Sequence, residues 1–113
     1  MSEDKTCPLA KSNPDLVQIL GTADRVVALF YASWCPFCLT FLPIFEKLAE
    51  SKGLCFVKVQ DDEDTIADQY SVEVYPTVIY FENGSIAKRL DGVRGVGLNE
   101  QKLKGFINLC LSI

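Results

Sequence analysis

A chain of 113 residues is long enough for one compact domain and too short for two. With 49% hydrophobic and 23% charged residues it can fill a core, which excludes a disordered chain. A net charge of −4 without any basic run excludes a nucleic-acid footprint and an electrostatic membrane anchor, and the lack of histidine excludes Ser-His-Asp and Cys-His hydrolases and His-ligated zinc or haem.

Met1 to Lys11 is polar and of mixed charge, without the basic start and apolar stretch of a signal peptide. The longest apolar run, Val26 to Ala32, is too short to span a bilayer. Both features point to the cytoplasm. Residues 1–12 read as an N-terminal segment, with an irregular edge strand around Cys7-Pro8-Leu9, and residues 13–113 as the domain. Asn13 is the expected cap of a short helix with Pro14 at its first position and Leu16, Ile19 and Leu20 on its apolar side, ended by Gly21. Val26 to Tyr31 is continuously apolar, the pattern of a strand buried on both faces. A long helix is expected from Pro36 to Ser51, stopped by Gly53, and a second buried strand from Leu54 to Val59. Asp61 to Asp64 read as the solvated acidic start of another helix. Thr77 to Phe81 and Ser85 to Leu90 flank Asn83-Gly84, a strong hairpin signal. The last helix is capped by Asn99, stapled by Leu98 and Leu103, and buries Leu103, Phe106, Ile107 and Cys110. The order implies an α/β fold with a central mixed sheet and helices on both faces.

Cys35 falls where the first buried strand gives way to the long helix, and the unpaired N–H groups of a helix start favour an anion there. Cys38 sits one turn on along the same face, close enough for two sulfurs to form a small ring. The pair predicts thiol–disulfide exchange: Cys35 attacks a disulfide and Cys38 resolves the mixed disulfide. The same spacing also serves zinc, but there is no second C-x-x-C and no histidine to complete four ligands. The odd set of five cysteines suits a reducing compartment; Cys55 and Cys110 read as small core residues and Cys7 as a bystander thiol.

Phe30 to Cys35, followed by Pro36-Phe37-Cys38, resembles the strand and W-C-x-x-C motif of the thioredoxin family. Pro43 matches its helix-kinking proline, Val74-Tyr75-Pro76-Thr77 its cis-proline loop, Phe81 to Gly84 its hairpin, and Gly92 the glycine after its last strand. The resemblance runs from about Asn13 to the C-terminus. It implies the thioredoxin fold and a monomeric reductase of protein disulfides that needs no cofactor beyond Cys35–Cys38. Electrons would come from a reductase of the thioredoxin-reductase type or another dithiol partner. By the same resemblance Pro76 lies against Cys35, and Tyr75 offers its backbone to an extended substrate peptide. Trp34, Pro36, Phe37, Tyr75, Pro76, Gly92 and Val93 would form the substrate-binding rim.

Two departures stand out. Leu29 occupies the place of the family's buried carboxylate, while Lys58 matches the lysine that partners it. Lys58 is therefore a candidate for tuning Cys38 by its charge, against the alternative that it simply reaches solvent. The Pro36-Phe37 dipeptide is closer to glutaredoxins and periplasmic oxidases than to the Gly-Pro of thioredoxins. Glutaredoxin-like, isomerase or oxidase activity, and a binding module without catalysis, are the alternatives to reduction.

Overall fold

The structure, a computed structural model, describes residues 8–49 and 53–111. Among them five strands form one sheet: β1 (Leu9–Ala10), β2 (Arg25–Tyr31), β3 (Cys55–Gln60), β4 (Thr77–Glu82) and β5 (Ser85–Leu90), in the order β1-β3-β2-β4-β5. β1 and β2 run parallel to β3, whereas β4 is antiparallel to β2 and to β5, so the sheet is mixed as expected. The helices are α1 (Asn13–Leu20), α2 (Pro36–Leu48) and α3 (Glu100–Leu111).

The continuous apolar run of β2 is explained by its two buried faces. Val27, Leu29 and Tyr31 pack with Phe41 and Phe45 of α2 and with Leu103, Phe106 and Ile107 of α3. Val26, Ala28 and Phe30 point the other way, toward Leu16 of α1 and Ile66 and Val72. A strand that is central and covered on both sides has no polar face to alternate with.

Several local expectations are corrected. The cap of α1 is Ser12, extended at φ −147° and ψ 162°, whose hydroxyl accepts the Asp15 N–H at 3.2 Å. Asn13, one residue inside, ties α1 to the opposite loop instead: its carbonyl accepts from the Tyr70 hydroxyl at 2.8 Å, and its amide donates to Gln69 at 3.0 Å. α2 ends at Leu48, where Ala49 leaves helical backbone at ψ 42°; the expected end at Ser51 lies outside the described residues, as does Cys7. β3 begins and ends one residue later than the apolar pattern suggested.

The helix expected after the acidic run is a single 3₁₀ turn, Ala67–Tyr70, stopped by Ser71 in left-handed backbone at φ 56°. Asp61 is not solvated but buried. Its carboxylate accepts the N–H groups of Thr65, Ile66 and Ala67 at 3.0, 2.9 and 2.6 Å, which folds the loop around one side chain instead of starting a helix. The hairpin forms as expected, with Asn83 and Gly84 both at positive φ, 51° and 83°, as a type I′ turn requires. Asn99 caps α3 by accepting the Lys102 N–H at 2.8 Å.

Candidate active site

The site lies at the end of β2, where the chain turns into α2. Cys35 is the N-cap of α2, extended at φ −92° and ψ 115°, and its carbonyl takes the N–H groups of Cys38 and Leu39, both at 3.1 Å. Pro36 opens the helix at a position where a missing N–H costs nothing. Cys35 retains 6% of its surface exposed and Cys38 none. Both are free thiols. Burial, then the hydrogen bond with Cys35, pushes the Cys38 thiol up to about 12, against the pull of the Ala32 amide in the other direction.

Opposite the sulfurs is the loop before β4. The Tyr75–Pro76 peptide is cis, and the Tyr75 carbonyl accepts from Cys35 Sγ at 3.8 Å. Thr77, fully buried, holds this loop by donating to the Val74 carbonyl at 2.6 Å and accepting the Gly92 N–H at 3.3 Å. A Cβ built on Gly92 would run into the Pro76 carbonyl oxygen, so glycine is required there by space alone. Gly97, at φ 83°, lies under Phe37: a Cβ there would meet the Phe37 Cβ at 3.0 Å. The Val93–Gly97 loop closes on itself through a Gly97 N–H to Val93 carbonyl bond of 2.7 Å, leaving Val93 and Val96 exposed beside Phe37.

Trp34 is 60% exposed and yet fixed at both ends. Its indole N–H donates to the Asp62 carbonyl at 3.0 Å, and its ring meets Tyr75 edge-on with centroids 6.0 Å apart. Asp62 accepts from the Ser33 N–H at 2.7 Å and the Ser33 hydroxyl at 2.8 Å, bonds that hold its carboxyl below the usual carboxylate range. The Tyr75 hydroxyl bonds to Asp64 at 2.7 Å and to Asp61; burial first, then these acceptors, raises it above the ordinary tyrosine range. Of the expected rim residues, Trp34, Pro36 and Phe37 flank Cys35 in the chain, Tyr75 contacts its sulfur, and Gly92, followed by Val93, abuts Pro76, which is itself buried. Asp61, Asp62, Ser33 and Thr77 were not foreseen. An acidic pair directly after a buried strand was the available signal, and its polarity suggested solvent instead.

Leu29 is fully buried and stands beside Lys58 in the parallel register of β2 and β3. The lysine Nζ reaches Glu46 Oε2 of α2 at 2.6 Å. The acid missing from β2 is thus met by one from a helix. Burial, Cys35 and the Ala32 amide act on the Cys38 thiol, and the charge of Lys58 bears on the Tyr31 hydroxyl, which burial raises.

The family model described as Thioredoxin matches residues 9–108. Among curated proteins, the chain is 41% identical over 80 residues to the thioredoxin of Mycoplasmoides gallisepticum, covering 69% of this chain and 80% of that one. It is 32% identical over 100 residues to the thioredoxin of Mycolicibacterium smegmatis, covering 84% and 89%. Among solved structures it superposes on a mutant thioredoxin from Halobacterium salinarum with a TM-score of 0.81, at 25% identity, over 100% of this chain and 97% of that one. The thioredoxin of Fasciola hepatica gives a TM-score of 0.77 at 29% identity, over 90% and 97%. With its fold, its relatives and a matched span of nearly the whole sequence in agreement, the chain belongs to the thioredoxin family and is an enzyme of thiol–disulfide exchange.

Proposed function

We infer that the chain reduces protein disulfides, with Cys35 as the attacking thiol and Cys38 as the resolving one. The observation that carries this reading is the inequality of the two sulfurs. Cys35 keeps 6% of its surface exposed at the helix tip beside the Tyr75 carbonyl, while Cys38 keeps none and its thiol is pushed up to about 12. The Cys35 thiolate attacks one sulfur of the substrate; a Cys35–substrate bond forms, the substrate disulfide breaks, and the displaced sulfur leaves and takes up a proton. Cys38 then loses its proton and attacks Cys35 Sγ, forming Cys35–Cys38 and releasing the second substrate thiol. The substrate gains two electrons and the protein loses two. A reductase of the thioredoxin-reductase type, or another dithiol, restores the pair by the reverse exchange, and no cofactor beyond the two sulfurs takes part.

Trp34, Phe37 and Val93 give the site an apolar, exposed rim suited to flexible polypeptide segments, with Tyr75 supplying backbone to pair with them. The odd cysteine set supports work in the reducing cytoplasm. Among the described residues no helix is long and apolar enough to cross a membrane.

The test is the redox equilibrium of the wild-type protein in glutathione buffers, read by thiol trapping, together with two variants. A single two-electron transition well below the glutathione poise is expected, with reduction lost in Cys35→Ser and substrates trapped on Cys35 in Cys38→Ser. A transition at or above that poise would move the protein to oxidase or isomerase work and implicate Pro36-Phe37. Absence of any reversible couple would end the reading.

A further inference from the structure

Between Lys58 and Lys88 the chain carries seven carboxylates, Asp61, Asp62, Glu63, Asp64, Asp68, Glu73 and Glu82, and no lysine or arginine. The fold sets part of this segment beside the reactive sulfur. A groove of about 370 Å³ runs along Tyr75, lined by Asp64, Asp68, Val72 and Glu73, with Arg94 as the cation among its lining residues. Three exposed carboxylates against one guanidinium leave it clearly negative. Tyr75 connects this groove to the chemistry. Its carbonyl is 3.8 Å from Cys35 Sγ, and its hydroxyl is held by Asp64 at 2.7 Å. The acidic groove therefore begins about one side-chain length from the attacked bond. On the other side the rim is apolar, formed by Phe37, Val93 and Val96.

We propose that this site selects basic disulfide-bearing peptide segments, seating a lysine or arginine two residues from the attacked half-cystine against Asp64, Asp68 and Glu73. The proposal rests on Cys35 being the attacking thiol. An extended segment over Cys35 turns the residues directly beside its half-cystine away from the enzyme and presents the residues two positions away on the half-cystine's own face, one toward Phe37 and Val93 and the other along Tyr75. A cation in the second position meets complementary charge, whereas an acid meets like charge. The net charge of −4 draws basic segments from further away in the same sense.

The experiment follows the reduced full-length protein with three disulfides by acid quench, alkylation and mass spectrometry. Two are extended peptides, identical except for lysine or glutamate two residues from each half-cystine; the third is uncharged hydroxyethyl disulfide. At low ionic strength the lysine peptide should react about tenfold faster than the glutamate peptide, the scale expected of electrostatic steering. The ratio should shrink toward one in about 0.5 M salt, where the screening length falls to a few ångströms. The double variant Asp68→Asn, Glu73→Gln should narrow the ratio at low salt and leave the rate with hydroxyethyl disulfide unchanged. Equal rates for the two peptides at low salt, or a lysine preference untouched by the double variant, would overturn the proposal. Inertness toward all three reagents would instead overturn the assignment of Cys35, and the proposal with it.

Discussion

Single residues do opposite things here depending on what their polar atoms meet. Asp61 is buried, and its carboxylate answers three backbone N–H groups and the Tyr75 hydroxyl. Asp61→Ala would leave the buried Ile66 and Ala67 N–H groups without an acceptor, and we expect a loss of about 3 kcal/mol in urea unfolding. Asp61→Asn keeps one carbonyl acceptor and should recover part of it. Lys58 and Glu46 lie nearer to solvent, with side chains 20% and 47% exposed, so their 2.6 Å pair contributes little. Lys58→Met should cost no more than about 1 kcal/mol. It should also leave the lifetime of the Cys35 mixed disulfide unchanged, because burial and the hydrogen bond with Cys35 dominate the Cys38 thiol. A clear lengthening of that lifetime would restore Lys58 to the chemistry.

At the scale of elements, the sheet and α2 and α3 were legible because their signals are periodic and long. The unbroken apolar run of β2, the Asn83-Gly84 turn and the spacing of Leu103, Phe106, Ile107 and Cys110 each have one good structural solution. The position of the Cys35–Cys38 pair was legible for a different reason: the motif falls at a strand-to-helix junction. What escaped was the segment from Asp61 to Ser71. Its local pattern reads as a polar helix start, and only the tertiary fold shows that Asp61 turns inward. The Ser12 cap escaped because Ser12 and Asn13 are both good capping residues, and the Tyr70 hydroxyl claims Asn13. Loop contacts between elements were equally invisible. Gly92→Ala should push the Pro76 carbonyl aside, lowering stability by about 2 kcal/mol and slowing substrate reduction, as overpacking against a backbone atom does. Unchanged melting and unchanged rates would show that the loop gives way freely.

For the molecule as a whole, a sealed thiol links redox state to pH. In the dithiol form the Cys38 thiol ionises near 12, against 9.0 for an unburied cysteine. Above pH 9 the unfolded chain gives up this proton and the folded one keeps it, so folding is fully supported below about 9 and loses support as pH climbs toward 12. The slope is at most about 1.4 kcal/mol per pH unit for one thiol. Cys110, pushed up to about 11 by burial, adds the same trend in both redox forms. The disulfide form has no Cys38 proton to lose. The difference in stability between oxidised and reduced protein should therefore widen as pH rises from about 8 to about 10.5, measured by urea unfolding of each form. A constant difference would mean that Cys38 is better solvated than its position indicates.

Trp34 is the chain's only tryptophan, and its indole is pinned to Asp62 and Tyr75 next to Cys35. All indole emission from this protein thus originates within the active site, with no second ring elsewhere to dilute it. Closing or opening the neighbouring sulfur bond, or laying a peptide across the rim, changes the surroundings of that one chromophore. The enzyme carries its own optical gauge, and each turnover can be watched in real time without attaching a dye.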